Sequence, residues 1–459
     1  MKAELLACGL GVALFGGPLT AAGEGITVQV DFAATVGTMK PMHGVGQPPM
    51  LGIDTNLFHY MTEAGVPYSR LHDVGGWHGG NMFVDIPNVF RDFAADENDP
   101  KNYDFTFTDI LIKGIVDSGV EPYYRLGVTI ENFFRVKQMR IHPPKDFAKW
   151  ARICERVIRH YTEGWANGYR YKMTYWEIWN EPDSEPGDCP MWTGSFADFC
   201  RLYETASKHL KKCFPHLKIG GYGASGLQRL VQEKPRQHDV FIKDKLDEFF
   251  AYVKAHDCPL DFFSIHAYDM PGAPLLPAAM KTYAKYCREH LDAIGRTDTV
   301  ISMNEWLPRW TGPGSARQAA VCASLLIALQ QSAFDNAMIY DARPGIGLYS
   351  PLFDPSTLKP RPAYWALCNF NELYRLGREA KVGKLPDGVH AIAATDGKGL
   401  AKVFWANIGD WPAKVAFAAP GWKVLSCQIT DDWRVNTVVS SLSELPPNSF
   451  GVLTFSAVK

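Results

Sequence analysis

The chain has 459 residues, of which 46% are hydrophobic and 21% charged. That length and apolar content suit a large α/β barrel carrying an added module. With 47 Lys+Arg against 49 Asp+Glu, and a formal net charge of −2, no global field favours a nucleic acid or an acidic membrane as partner, whereas a neutral sugar is compatible.

Residues 1–22 read as a secretory leader: Lys2, an apolar run from Leu5 to Phe15, then Pro18, Thr20, Ala21 and Ala22. Cleavage near Ala22 and a secreted or periplasmic product follow, because the run is too short to span a membrane. Cys8 sits early for a lipoprotein anchor, and no other stretch suggests membrane insertion. Ile26 to Phe32 alternates like a strand, and residues 23–40 are expected to join a later β-module.

Between residues 41 and 376 strands and helices alternate eight times. The predicted strands are His43–Val45, Tyr68–Leu71, Pro122–Leu126, Thr174–Trp179, Lys218–Gly221, Asp261–His266, Val300–Met303 and Ala337–Tyr340. Apolar residues at helical spacing predict helices over 147–161, 196–213 and 316–331. Strand-helix repeated eight times closes a (β/α)8 TIM barrel. Short strands at 388–394, 400–406 and 450–455 mark residues 377–459 as a β-sandwich. The ten cysteines form no metal-binding spacing. Cys154, Cys200, Cys287, Cys322 and Cys368 fall on helix-like segments as buried thiols, with one disulfide through Cys189 as the alternative.

The chemistry concentrates at the ends of two strands. Trp176-Glu177-Ile178-Trp179-Asn180-Glu181-Pro182-Asp183 is an aromatic strand ending in Asn-Glu-Pro, and Val300-Ile301-Ser302-Met303-Asn304-Glu305-Trp306 delivers a second carboxylate. Two glutamates at the carboxyl ends of barrel strands suit hydrolysis of a glycosidic bond. Glu181 is the candidate acid/base. A carboxyl that donates a proton near neutral pH needs burial or a nearby negative charge, for which Trp176, Trp179 and Glu305 are the expected sources. Glu305 is the candidate nucleophile and needs hydrogen-bond donors to stay ionised, with Arg70 and Tyr268 placed to supply them. Asn180 can bind a sugar hydroxyl. Glu177 is read as a buried supporting carboxylate whose side chain points into the barrel alongside that of Trp179.

His72, His266 and Tyr268 are candidate substrate ligands, the alternative for His72 being a histidine satisfied by rim backbone. Trp306 is expected to offer an aromatic face to a sugar ring. The other aromatics near strand ends, Phe133, Phe134, Trp192, Trp310 and Tyr340, are expected to be core. Asp341 and Arg343 either touch substrate or pair with each other. The sequence carries no phosphate loop, nucleophile elbow or metal-ligand pattern, so no metal or organic cofactor is expected. The partner is a glycoside or oligosaccharide; oligomeric state is not legible.

On Arg70-Leu71-His72, Trp176 through Pro182, His266-Ala267-Tyr268 and Asn304-Glu305-Trp306, the chain resembles glycoside hydrolase family 39, in the clan of retaining (β/α)8 enzymes. The resemblance runs from about Pro41 to Leu376 and extends to the β-sandwich. It implies acid/base Glu181, nucleophile Glu305, supporting roles for His72, Asn180, His266 and Tyr268, and an exo-acting enzyme of β-xylosidase type. Two features depart from it. Asp183 stands where members often have Asn, and Tyr340-Asp341-Ala342-Arg343-Pro344 lacks the tryptophan and paired glutamates of a β-xylosidase. The alternatives are an enzyme for arabinose- or galactose-configured units or for a uronic acid, with Arg343 facing the sugar carboxylate as in an α-L-iduronidase-like member, and a carbohydrate-binding barrel without turnover.

Overall fold

The structure, a computed structural model, describes residues 25–458 apart from 53, 72–82, 129–140, 184–190, 228–229, 233, 235–236, 271–272 and 346. The leader at 1–22, His72, Phe133, Phe134 and Cys189 lie outside the described residues.

A long strand, β1 (Ile26–Thr38), precedes a closed barrel of parallel strands: β2 (Gly44–Gly46), β3 (Tyr68–Leu71), β4 (Glu121–Leu126), β5 (Tyr175–Ile178), β6 (Lys218–Ala224), β7 (Phe262–Tyr268), β8 (Val300–Leu307) and β9 (Asn336–Tyr340). Helices alternate with them: α1 (His59–Glu63), α2 (Ile86–Val89), α3 (Thr106–Asp117), α4 (Phe147–Thr162), α5 (Phe196–Cys213), α6 (Gln237–Ala255), α7 (Pro277–Ala293), α8 (Ala316–Gln330) and α9 (Pro362–Tyr374). Three of the longer helices have their starts fixed by side-chain caps. The Ser195 hydroxyl and Asp198 carboxylate form a capping box on α5, and Asp146 and Ser315 cap α4 and α8.

The barrel interior follows the two-residue period of its strands. Tyr123, Phe262 and Met338 pack together with Tyr68, Tyr175 and Val300 as an apolar plug. Two residues further along the same strands the chemistry changes to Arg70, Glu177 and Ser264, all fully buried. The plug seals one end, and the polar layer faces the carboxyl-terminal mouth.

After the barrel come β10 (Arg378–Val382), β11 (Val389–Thr395), β12 (Leu400–Asn407), β13 (Val415–Ala418), β14 (Trp422–Thr430), β15 (Thr437–Val439) and β16 (Ser449–Ala457). With β1 they form one sheet in the order β13-β1-β10-β11-β12-β16-β14-β15. The sandwich is this single sheet folded over itself. Phe32 of β1 meets Trp422 of β14 and Phe455 of β16 edge-on, with ring centroids at 4.8 and 5.3 Å, although those strands are not neighbours in the order. Alternation divides its side chains: Ala391, Ala393, Val403 and Trp405 fill the sheet's own core, while Ile392, Ala394, Phe404 and Ala406 join the barrel's. The eight described cysteines are free thiols. No described helix is long and apolar enough to cross a membrane.

Candidate active site

Arg70, at the end of β3, organises the mouth of the barrel. Its Nε donates to Glu177 Oε2, its Nη1 to Glu305 Oε1 and its Nη2 to Asn180 Oδ1, each at 2.6 Å. Burial pulls the pKa of this guanidinium down, and the charges of Glu177 and Glu305 more than offset that, so the net direction is upward. Glu177, on the inward face of β5, also accepts from Ser264 Oγ at 2.5 Å and Asn304 Nδ2 at 2.6 Å. Glu177 is the buried anion that locks Arg70 in place, while Arg70 presents its remaining donors to the site.

Glu305 receives a second hydrogen bond from the Tyr268 hydroxyl at 2.6 Å. Both donors expected from the sequence, Arg70 and Tyr268, are therefore on it. Burial and Glu305 push the Tyr268 pKa well above the usual tyrosine value, so the hydroxyl stays a donor. On the other side, His266 Nδ1 lies 2.6 Å from Glu181 Oε1 and 3.4 Å from Glu305 Oε2. Burial lowers the His266 pKa to about 4, which keeps the imidazole neutral near pH 7. Its Nε2 and the Asn180 Nδ2 are buried without a protein partner. One oxygen of Glu181, one of Glu305 and a ring nitrogen of His266 lie within 4.8 Å of one another. The Glu181 side chain retains 19% exposure and Glu305 5%, so both reach the mouth.

The backbone beneath the site is unusual in ways the chemistry requires. Trp179 and Glu181 adopt φ of 70° and 43°, in the left-handed region that side chains avoid. The Glu181 amide is held by the Gly223 carbonyl at 3.0 Å. Gly223, at φ 65°, passes so close that a Cβ would sit 3.1 Å from both Asn180 Oδ1 and His266 Nε2. A side chain there would crowd both groups and strain the backbone, which glycine avoids.

Asp183 is fully buried just past Glu181. It accepts from the Ser225 hydroxyl at 2.6 Å and the Tyr222 hydroxyl at 3.3 Å. Burial raises its pKa to about 7; the Ser225 hydrogen bond works against that and the charge of Glu181 adds to it.

Three expectations need correction. Trp306 is fully buried in the hydrophobic core, so it offers no face to a sugar. It is the neighbour of Glu305 on an alternating strand, and with Glu305 turned to the mouth it turns away. The Trp179 side chain likewise leaves the barrel interior, its indole donating to the Met191 carbonyl at 3.0 Å and packing on Trp192, because the positive φ breaks the alternation. Trp310, expected in the core, is 50% exposed. Asp341 and Arg343 realise the pairing alternative: Arg343 Nε and Nη2 donate to Asp341 Oδ2 at 2.8 and 2.6 Å.

The sequence reading missed Arg309 and Tyr349. The Arg309 guanidinium lies over the rings of Tyr268 and Tyr349 at 4.9 and 5.1 Å and bonds the Tyr349 hydroxyl. Nothing periodic marks either residue, since both sit in loops after strands. Among the described residues two triplets bring metal-type donors together: Glu181, His266 and Glu305 in the site, and Glu155, His209 and Cys213 between α4 and α5. In the site Glu305 is already paired with the Arg70 guanidinium, and in the other triplet Glu155 is paired with Arg156 and Arg159.

A parallel (β/α)8 barrel with two carboxylates facing each other at its carboxyl-terminal mouth is the architecture of barrel glycosidases. The sequence model of glycosyl hydrolases family 39 matches residues 30–336, and the chain belongs to that family. A β-xylosidase of Geobacillus stearothermophilus is 25% identical over 198 residues, 41% of this chain and 35% of that protein. The match thus spans about a third of that relative's length. Among solved structures, a glucosidase from Croceicoccus marinus superposes with a TM-score of 0.72 at 19% identity, covering 94% of this chain and 99% of that one. The GH39 enzyme from Xanthomonas axonopodis pv. citri gives 0.67 at 18%, covering 95% and 98%. These structural likenesses establish the shared fold.

Proposed function

We propose that the chain is a retaining exo-glycosidase of β-xylosidase-like type. Glu305 attacks the anomeric carbon while Glu181 protonates the leaving oxygen; Glu181 then takes a proton from the water that releases the sugar from Glu305. The observation that carries this reading is the approach of the Glu181 and Glu305 oxygens to within 4.8 Å. Retention calls for carboxyl groups ~5–5.5 Å apart, whereas an inverting pair stands ~6.5–9.5 Å apart with room for water between. The different surroundings of the two groups support the same division of labour. Glu305 has a guanidinium and a phenol donating to it, as a group that must stay ionised requires, while Glu181 is more exposed and faces a neutral imidazole.

His266 and Asn180, which stand beside Glu181 and Arg70, are assigned supporting roles in substrate binding. The match to β-xylosidases makes a xyloside the first substrate to try. A uronide is second, because the Arg343 charge is already compensated by Asp341. We also propose export, on the leader-like composition of residues 1–22; an intact amino terminus on secreted or periplasmic protein would count against cleavage.

The test is hydrolysis of a panel of aryl xyloside, arabinoside, galactoside and uronide, with NMR identification of the first anomer released. Retained configuration is expected, and Glu305→Ala should abolish turnover while leaving the fold intact. Net inversion, or undiminished hydrolysis by that variant, would remove Glu305 from the nucleophile's role.

A further inference from the structure

We propose that Trp310, Trp411 and Trp433 form an aromatic track running from the barrel mouth onto the carboxyl-terminal sheet, where it holds the part of a glycan chain lying outside the catalytic pocket. The inference rests on the glycosidase reading above and extends it from a single sugar to a chain.

Trp433 is 93% exposed, Trp411 80% and Trp310 50%. An indole left in water forgoes one of the largest burial gains available to a side chain. Here the backbones that carry two of them are fixed while the rings are free. In the turn after β14, Asp431 Oδ1 accepts the Trp433 and Arg434 amides at 2.9 and 2.8 Å, and the Arg434 guanidinium closes on the same carboxylate. In the loop after β12, Asn407 Nδ2 donates to the Trp411 carbonyl at 3.1 Å and to the Leu445 carbonyl at 2.9 Å. These turns present rigid platforms.

Topology puts the three on one side of the molecule. Asn407 at the end of β12 pairs with Ser449, and Thr430 at the end of β14 pairs with Phe450, the first two residues of β16. The loops bearing Trp411 and Trp433 therefore leave the same end of the sheet, with β16 between them, which separates their strands by roughly 10 Å. That end lies level with the barrel mouth. Helix α8 starts just beyond β8, and Arg317 in its first turn reaches Asp410, beside Trp411, at 3.7 Å. Trp310 lies in the loop that joins β8 to α8, its amide held at 2.9 Å by Asp269, the residue after Tyr268.

A sugar ring offers a flat carbon–hydrogen face that stacks on indole while its hydroxyls stay in water, so spaced, exposed rings suit a glycan. They suit a second copy of this chain poorly. Asp410 and Asp432 flank the two outer indoles, and a second copy of the same surface would bring like charges against them.

The test compares the full-length chain with its Trp411→Ala/Trp433→Ala double variant by affinity electrophoresis in gels containing soluble xylan, arabinoxylan or galactan, with aryl-glycoside hydrolysis and size-exclusion chromatography alongside. Retardation by at least one glycan is expected, weakened at least about tenfold in the variant, as the loss of two aromatic contacts implies. Hydrolysis of the aryl glycoside, which ends at the pocket, should be unchanged. Equal retardation of both proteins, or none of the parent in any gel, overturns the track. A parent dimer that the substitutions convert to monomer, without glycan retention, overturns it in favour of self-association. Retardation is read without turnover, so a parent that binds glycan but cleaves no aryl glycoside defeats the hydrolase reading and leaves the track standing.

Discussion

Arg70 is in contact with three side chains of the site at once, and the geometry depends on a fork rather than a point charge. Its Nε, Nη1 and Nη2 are each committed at 2.6 Å to a different residue, with no solvent exposure. A lysine keeps the charge and cannot reproduce three divergent donors. Arg70→Lys should therefore leave Glu177 Oε2 or Asn180 Oδ1 without its donor in a dry environment. Breaking such a buried network costs about 3–5 kcal/mol, to be read by denaturant unfolding, and kcat/KM should fall further than KM rises because Glu305 loses its fixed orientation. A lysine variant with parental stability and activity would show that the charge alone suffices. Asp183 makes the opposite kind of prediction. Burial raises its pKa to about 7 in the fold, well above the ordinary aspartate range, so between the two the folded state holds a proton that the unfolded state releases. The stability it contributes is present below about pH 4 and is lost as pH rises through about 7. Asp183→Asn should leave the melting temperature little changed near pH 4 and raise it at pH 8. It also removes the charge that forms beside Glu181 above neutrality, so the alkaline limb of kcat/KM should move to lower pH. A limb that does not move would uncouple the two carboxyls.

At the scale of elements, the same strand shows what a sequence can and cannot disclose. The helices over 147–162 and 196–213 are legible because each buries one face at helical spacing, whereas the barrel strands and the helix over 316–330 are legible as runs between turns that are buried on more than one face. The pair Glu181 and Glu305 is legible because both end aromatic, apolar strands. What alternation cannot reveal is where it fails. In β8, Ser302 lies opposite Ser264, but Glu305 lies opposite His266, so β8 carries one extra residue. That bulge lets two successive side chains serve one site: Asn304 bonds Glu177 and Glu305 bonds Arg70. By turning Glu305 to the mouth it also turns the next residue, Trp306, to the core, where the sequence reading expects a face for a sugar ring. The strands β10, β13, β14 and β15 passed unread, β10 and β13 because they are only five and four residues long, β14 and β15 for a related reason. Much of β14 and β15 is exposed, so neither shows the regular alternation of a half-buried strand. Arg309 and Tyr349 were out of reach because loop residues acquire their partners only through the closed barrel.

For the whole molecule, barrel and sheet read as two units along the chain but share one interior. Every residue from Gln318 to Gln330 of α8 is buried, which a helix covering only the barrel would not require. Its second cover is the sheet: Ile392, Phe404, Phe450 and Val452 lie in one continuous apolar cluster with Leu325, Leu326 and Leu329. The chain also enters the sheet before it builds the barrel. Strand β1 joins β13 on one side and β10 on the other, so residues after 376 cannot complete the sheet alone. Polar groups tie the same seam. Gln330 Nε2 donates to the Thr38 carbonyl and to Glu379, and Lys40 Nζ donates to the carbonyls of Ser332 and Phe334, both at 2.7 Å. A chain ended at Leu376 should therefore expose an apolar helix face far larger than a soluble monomer tolerates and be recovered as aggregate. In the full-length chain, Phe404→Ala should cost about 3–5 kcal/mol and lower the single calorimetric transition without splitting it. Two transitions in the parent, or a soluble and active 1–376 fragment, would show that the sheet is an independent passenger rather than the outer wall of the barrel.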